Sequence, residues 1–458
     1  MTALKELIWK KVLELKKIDL KCLDELERLQ WLGAKELKSY QREQLTKMLL
    51  HASRHVPYYR KILTDAGVVS GGSVNLDKFG QIPLLDKNLI RAHEKELKTD
   101  DIKDRKWSLN SSGGSTGEPV VLVQDQDYCE WGYNVKLLYD KWSGYNISDR
   151  KVILWGSLRD IFAGGEKFRT NLGRWLRNEF YQNAFDLTPG KMFLFAKQIN
   201  ELKPVQILAY VESIYDLSRF VEREGLEIHS PHSIMTTART LYPALRETIE
   251  RVFRTKIFNR YGSREVGDIA CECELHNGLH VTAPTHYLEI LDSDGMPAGP
   301  GETGEIVITL LSNFTMPLIR YRIGDTAAWA AKPCTCGRNW PLLKEINGRV
   351  TDIFITNDGR RIHGTYFIMQ LFYRNWIRKY KFIQEDFDHI RVLLAPYEKA
   401  ENPHKVYANE IKEIADNVRV VMGKDCRVDF EFVDSIPSSH SGKYLYSLSK
   451  VSQKPGSL

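Results

Sequence analysis

Apolar and polar positions follow two different periods along this chain. Short runs rich in β-branched and aromatic residues occur at Val152-Ile153-Leu154-Trp155, Val205-Gln206-Ile207-Leu208 and Lys256-Ile257-Phe258. Between them, at about 191–202, 212–224 and 241–253, apolar residues recur every three to four positions. The runs read as buried strands and the longer period as helices. Their alternation predicts an α/β domain with a mostly parallel sheet. Residues up to about 105 read as mainly helical, with loops near Gly67–Ser73. After about 280 the pattern changes to hairpins. His286–Leu291 and Gly304–Leu310 flank the turn Asp292-Ser293-Asp294-Gly295, which predicts an antiparallel, barrel-like subdomain. Asn347-Gly348-Arg349 marks a break. Strands expected at 352–356, 389–394 and 427–433, with helices at about 364–380 and 407–422, form a small α+β domain. The expected organisation is a large N-terminal region over 1–348, a hinge at 349–352 and a C-terminal domain over 353–458.

Composition narrows the class of function. The chain has 458 residues, 43% hydrophobic and 27% charged, the balance of a multidomain globular protein. Its net charge of +6 is spread without a basic run, which argues against a nucleic-acid partner. No apolar h-region opens the chain and no segment is long and apolar enough to span a bilayer, so the expected location is the cytoplasm. Leu4, Leu7, Ile8, Val12 and Leu15 recur at helical spacing with lysines between them. Two readings stay open for this segment: packing on its own domain, or peripheral contact with a membrane surface.

Candidate chemistry begins at Leu109-Asn110-Ser111-Ser112-Gly113-Gly114-Ser115-Thr116-Gly117. Glycines let backbone N–H groups approach phosphate oxygens, and hydroxyls add donors. No lysine follows Gly117, so this is not a P-loop of the Walker kind, and no G-x-G-x-x-G is present.

This loop resembles that of the adenylate-forming superfamily, the acyl-coenzyme A synthetases and their relatives. The resemblance continues in order through Tyr261-Gly262-Ser263-Arg264-Glu265, Tyr321-Arg322-Ile323-Gly324-Asp325, Gly348-Arg349-Val350-Thr351-Asp352 and Ser441-Gly442-Lys443. It implies that Ser111–Gly117 hold the triphosphate of ATP, that Tyr261, with Gly262 and Ser263, meets adenine, and that Asp325 takes the ribose hydroxyls. Glu265 would hold Mg²⁺. Arg349 would take part in cofactor binding and catalysis and would belong to a hinge that lets a mobile C-terminal lid turn, and Lys443 on that lid would be the catalytic lysine. Gln41–Tyr59 and Ile82–Lys87 resemble the phenylacetate–coenzyme A ligase group, while Asp352–Gly364 looks more like its capsular-polysaccharide branch.

Seven cysteines are too few and too scattered for a disulfide framework. Four lie in two C-x-C pairs, Cys271/Cys273 and Cys334/Cys336, the first followed by His276 and His280. Three cysteines and a histidine make a structural zinc set. The preferred ligands are Cys273, His280, Cys334 and Cys336, with Cys271 and His276 as alternatives that spacing cannot separate. Buried free thiols are the competing reading.

The expected activity is ATP-dependent adenylation of a carboxylic acid with release of pyrophosphate. Acyl transfer would follow, to coenzyme A or to an amine or hydroxyl acceptor, in capsular or surface polysaccharide biosynthesis. The alternative is a non-catalytic ATP- or adenylate-binding subunit of a polysaccharide-assembly system, motivated by Thr237-Ala238-Arg239 in place of the family's adenine-contact segment. Trp155, Arg159, Phe162, Phe168, Arg169 and Tyr210 are candidates for the acid pocket. The basic cluster Arg159, Lys167, Arg169, Arg174 and Arg177 reads either as a solvated loop or as recognition of an anionic substrate. A homodimer is left open.

Overall fold

The computed structural model describes residues 7–9, 11–12, 19–111, 120–155, 167–184, 187–349, 353–372, 374, 376–398, 400–436 and 446–451. The N-terminal region is helical over Lys21–Leu29, Ala34–His55, Pro57–Asp65 and Lys87–Ala92. The loop expected near 67–73 contains a two-residue hairpin, β1 (Val69–Ser70) with β2 (Ser73–Val74).

β3 (Trp107–Ser111) and β4 (Val121–Asp125) form a separate antiparallel pair, the stem of the Ser/Gly loop. Asp125 ends this stem and begins the helix Gln126–Trp142. Its Oδ1 accepts from the Tyr128 N–H at 2.9 Å, which caps the helix. Its Oδ2 accepts from the N–H groups of Phe314 and Thr315 at 2.8 and 3.0 Å, so the stem is tied to the distant hairpin region.

The strands β5 (Lys151–Trp155), β6 (Glu179–Asn183), β7 (Gln206–Tyr210), β8 (Ser233–Thr237) and β9 (Ile257–Ser263) run parallel in the order β6-β5-β7-β8-β9. Ile207, Ile234 and Ile257 are fully buried, each contributing roughly 2 kcal/mol of apolar burial. The helices Pro189–Leu202 and Pro243–Phe253 each begin at a proline, whose fixed φ suits the first turn.

The antiparallel hairpin region expected after about 280 joins this sheet through β9. β10 (Gly267–Glu272), β11 (Leu279–Val281), β12 (His286–Leu291), β13 (Thr303–Leu310), β14 (Tyr321–Trp329) and β15 (Leu342–Arg349) continue from β9 by antiparallel pairing. The result is one eleven-stranded sheet. Two sides of the molecule therefore share a continuous backbone ladder through β9 and β10.

Beyond β15 lie a hairpin of β16 (Ile353–Ile355) and β17 (Arg361–His363), the helices Gly364–Phe372 and Ala408–Met422, and a four-stranded sheet. That sheet comprises β18 (Ile377–Asp386), β19 (His389–Pro396), β20 (Arg427–Phe432) and β21 (Ser447–Ser449) in the order β20-β19-β18-β21. The expected helix over 364–380 is corrected here: it stops at Phe372 and a strand starts at Ile377. Tyr380, Phe382 and Gln384 are buried in alternation, a period of two that prevails over the helical reading. The hinge residues 350–352 lie outside the described residues.

Candidate active site

The parallel strands β5, β7, β8 and β9 all end on one edge of the sheet, where open α/β folds place their ligands. Trp155 ends β5 and Tyr210 ends β7, with ring centroids 4.6 Å apart. Tyr261 and Ser263 end β9. Gly262 between them has no room for a side chain, because a Cβ there would lie 2.5 Å from the Gly267 carbonyl oxygen. The glycine after Tyr261 is thus required by the close return of β10.

Tyr261 donates its hydroxyl to Asp325 Oδ2 at 2.8 Å. Asp325 stands on β14, opposite Arg349 in the β14–β15 register. The adenine and ribose candidates are therefore brought together across 64 positions of sequence. The side chain of Arg349 lies outside the described residues.

Glu265 sits in the turn between β9 and β10 and is 8% exposed. The Ser263 hydroxyl accepts from the N–H groups of Glu265 and Val266 at 3.2 and 3.3 Å, which fixes this turn. Lys87 Nζ lies 3.1 Å from Glu265 Oε1. Burial pushes the Glu265 carboxyl up, but Lys87 and the Ser263 hydroxyl outweigh it and hold it below the ordinary carboxylate range. Lys87 is a site residue that sequence reasoning did not select. It opens the helix Lys87–Ala92, capped by Asp86, whose Oδ1 accepts from the Leu89 N–H at 2.8 Å. The preceding Leu85 exchanges backbone hydrogen bonds with Arg320 and Arg322 at 3.0 and 2.8 Å, so the N-terminal helical region reaches the turn by clamping onto β14.

Ser111 ends β3, while Ser112–Gly117 lie outside the described residues. The stem is fixed to the Glu265 turn by two amides. Asn110 Nδ2 and Gln124 Nε2 both donate to the Arg264 carbonyl oxygen, at 3.2 and 3.1 Å, and Asn110 also donates to Gln124 Oε1 at 3.0 Å. These two residues also escaped the sequence reading. The polar register of a hairpin, Asn110 opposite Leu122, is a weak signal by itself.

Lys443 lies outside the described residues. Tyr446, three positions later, faces Arg239 with the guanidinium carbon 5.9 Å from its ring centroid. Arg239 forms an ion pair with Glu212, and both line a cleft with Tyr242, Ile368 and Tyr446 between the large sheet and the C-terminal domain. Thr236 and Thr237 complete β8, and Ala238 turns the chain with a left-handed φ of 73°. Arg239 thus faces the C-terminal domain.

The basic cluster is not a loop over 167–177. That stretch is the helix Lys167–Arg177. Arg174 stacks 4.1 Å over the Tyr181 ring and Arg177 Nε pairs with Glu179 at 2.9 Å. Arg159 and Phe162 lie outside the described residues, as do the side chains of Lys167, Phe168 and Arg169.

Away from this edge, Cys273, His280, Cys334 and Cys336 form a second constellation, with all four ligand atoms within 4.8 Å of one another. Cys273 follows β10, His280 lies on β11, and Cys334 and Cys336 come from the β14–β15 loop. The Cys273 and Cys334 sulfurs are 3.7 Å apart, too far for a disulfide. Cys336 Sγ and His280 Nε2 are 3.5 Å apart. Around a tetrahedral zinc, sulfur–sulfur and sulfur–nitrogen edges are about 3.8 and about 3.6 Å. The donor set therefore fits that ion in chemistry and spacing. Among the described residues Cys271 and His276 stand outside the cluster. His276 Nδ1 instead meets Glu272 Oε2 at 3.3 Å. Gly278 permits the tight return, with φ of 130° and no space for a Cβ beside the Leu343 carbonyl.

Comparison with known proteins places this geometry in context. The model of the CapK C-terminal domain matches residues 354–450. Protein CapK of Staphylococcus aureus is 22% identical over 93% of this chain and 92% of its own length. A phenylacetate-coenzyme A ligase of Thermus thermophilus is 25% identical over 71% of this chain and 73% of its own length. The crystal structure of 2-hydroxyisobutyryl-CoA ligase in a postadenylation state superposes with a TM-score of 0.71 at 18% identity, covering 93% of this chain and 92% of that one. The resemblance to adenylate-forming enzymes, to the phenylacetate ligases and to the capsule branch is borne out by these relatives.

Proposed function

We propose that this chain, whose relatives and fold are those of AMP-forming carboxylate ligases, adenylates a carboxylic acid and passes the acyl group to a second acceptor. The observation that carries this reading is the convergence of Tyr261, Asp325 and Glu265 with the stem of the Ser/Gly loop on one sheet edge.

The chemistry brings two anions together. A carboxylate oxygen forms a bond to the α-phosphorus of ATP while the bond to pyrophosphate breaks. Charge must be neutralised at the α-phosphate and on the leaving group. The Ser112–Gly117 backbone and hydroxyls donate to phosphate oxygens, and Lys443 supplies an ammonium. Tyr261 packs against adenine, and Asp325 accepts from the ribose hydroxyls, its position set by the Tyr261 hydroxyl. Glu265 is held ionised and buried, so it fits as an oxygen donor to Mg²⁺, which when bound neutralises triphosphate charge. The acceptor then attacks the acyl carbonyl and AMP leaves. Arg349 and the hinge at 349–352 allow the C-terminal domain to turn between the two steps.

Cys273, His280, Cys334 and Cys336 hold a structural zinc in this reading, with no position left for a substrate. It staples β10 and β11 to the β14–β15 loop behind the Glu265 turn. Similarity to CapK supports a role in capsule or surface polysaccharide synthesis, with an amine or hydroxyl of a sugar as acceptor. Similarity to the coenzyme A ligases supports a thioester product.

The test is pyrophosphate release from ATP with a panel of aryl, aliphatic and sugar carboxylates, followed by identification of the acyl product with coenzyme A or amino sugars. Carboxylate-dependent release is expected. No release with any carboxylate of the panel, while ATP binding is intact, would favour a non-catalytic nucleotide-binding subunit.

A further inference from the structure

Of the N-terminal apolar stripe, Leu7 and Ile8 face outward while Val12 packs inward. Residues 7–9 and 11–12 are helical, and Trp9 is the residue that packs inward, only 3% exposed. Its Nε1 donates to the Tyr133 hydroxyl at 2.9 Å, and the Arg177 guanidinium lies 4.6 Å over its ring. Leu176, Val12, Leu20 and Ile147 complete that contact. With Trp9 inward, two members of the predicted apolar stripe, Leu7 and Ile8, are 66% and 39% exposed. The Trp9 ring passes beside Gly173, within 3.9 Å of where a Cβ would stand, so the segment lies on the helix Lys167–Arg177. That helix exposes Leu172 by 44% and Trp175 by 56%.

Four large apolar side chains thus stand outward on two adjoining helical segments. The sequence of the second segment is basic. The helix KFRTNLGRWLR carries four basic residues and no acidic one, and Lys11 lies on the segment that crosses it. Leucine, isoleucine and tryptophan suit the boundary between headgroups and acyl chains, and the basic helix suits anionic headgroups. A second copy of this chain is a poorer occupant, because a two-fold contact would oppose two basic helices.

We infer that Leu7, Ile8, Leu172 and Trp175 form a peripheral docking surface for a bilayer containing anionic lipid. Among the described residues no helix is long and apolar enough to cross a membrane, so the contact is interfacial.

The test uses the full chain and two vesicle types, phosphatidylcholine alone and phosphatidylcholine with phosphatidylglycerol. Co-sedimentation is expected with the anionic vesicles, weakened by salt, and about tenfold weaker with neutral ones. The double variant Leu172→Ser, Trp175→Ser should lose at least about tenfold of that binding with an unchanged melting temperature. If that variant does not fold, quenching of the wild-type tryptophan emission by lipids brominated near the headgroup decides instead. No binding to either vesicle, no quenching, or equal binding by wild type and double variant would overturn the inference. So would loss of self-association in the variant without any vesicle binding, which would make the patch a subunit contact. Binding is read without ATP, so failure of the proposed catalytic function leaves this outcome separate.

Discussion

Lys87 holds Glu265. The ammonium and carboxylate are 3.1 Å apart, the carboxylate almost fully buried, the lysine delivered by a helix of the N-terminal region. A segment distant from every phosphate-loop motif therefore sets the charge state of the residue proposed to meet Mg²⁺.

Glu265→Gln keeps the shape and removes the charge. Carboxylate-dependent pyrophosphate release should fall by about 100-fold or more, the scale of losing one electrostatic group in a closed site. The melting temperature should fall modestly, because the ion pair with Lys87 is lost while the amide can still meet the turn. Measuring both separates a catalytic loss from a folding defect.

Removing the lysine instead should move the pH profile. Burial raises the Glu265 carboxyl, and Lys87 with Ser263 lowers it below its ordinary value. The stabilisation from ionised Glu265 is thus present above the unfolded pKa and lost as pH falls through the lowered folded one. In Lys87→Met burial prevails, so the acid limb of the rate should shift to higher pH. Stability at neutral pH should drop by about 1–3 kcal/mol for a buried carboxylate without its partner. An unshifted acid limb would remove Glu265 from the rate-limiting ionisation.

Tyr261→Phe deletes the hydroxyl that orients Asp325 while keeping the ring. The KM for ATP should rise roughly threefold to tenfold, matching about 1 kcal/mol for one hydrogen bond, with kcat nearly unchanged. Tyr261→Ala should cost more, because the ring is lost as well.

The cysteine cluster gives a prediction with a built-in control. Purified protein should contain about one zinc per chain, as a closed four-ligand site holds a single ion. Cys334→Ser or Cys336→Ser should lower zinc content and melting temperature together. Cys271→Ser should keep the zinc, although Cys271 lies two residues from a ligand and is fully buried.

Legibility differed with the range of the signal. The parallel strands were readable because each is a short buried run between helical periods, and β5, β7 and β9 match those runs closely. β6, β8 and β10 were not, since their residues include Gln182, Asn183, Thr236, Thr237, Asp268 and Glu272, which dilute the apolar signal. The start of β18 was hidden because Phe372, Trp376 and Tyr380 recur every four positions and prolong the helical pattern before it. For the Cys/His cluster the sequence offered six candidates, four of them preferred. The four preferred there are the ones the structure gathers, although the β10–β11 register pairs Cys271, not Cys273, with His280. Lys87 and Asn110 fall within segments that carry resemblance but no role was assigned to them there, and Gln124 lies in none. Their roles arise from tertiary contacts to Glu265 and Arg264 that local pattern does not encode.

The most direct test of the account is isotope exchange between pyrophosphate and ATP with the carboxylate panel, in wild type and in Lys443→Ala. The account predicts exchange that requires a carboxylate and Mg²⁺ and that Lys443→Ala reduces by at least about 100-fold while ATP still binds. Exchange that persists in Lys443→Ala at the wild-type rate, or that proceeds without any carboxylate, would contradict it.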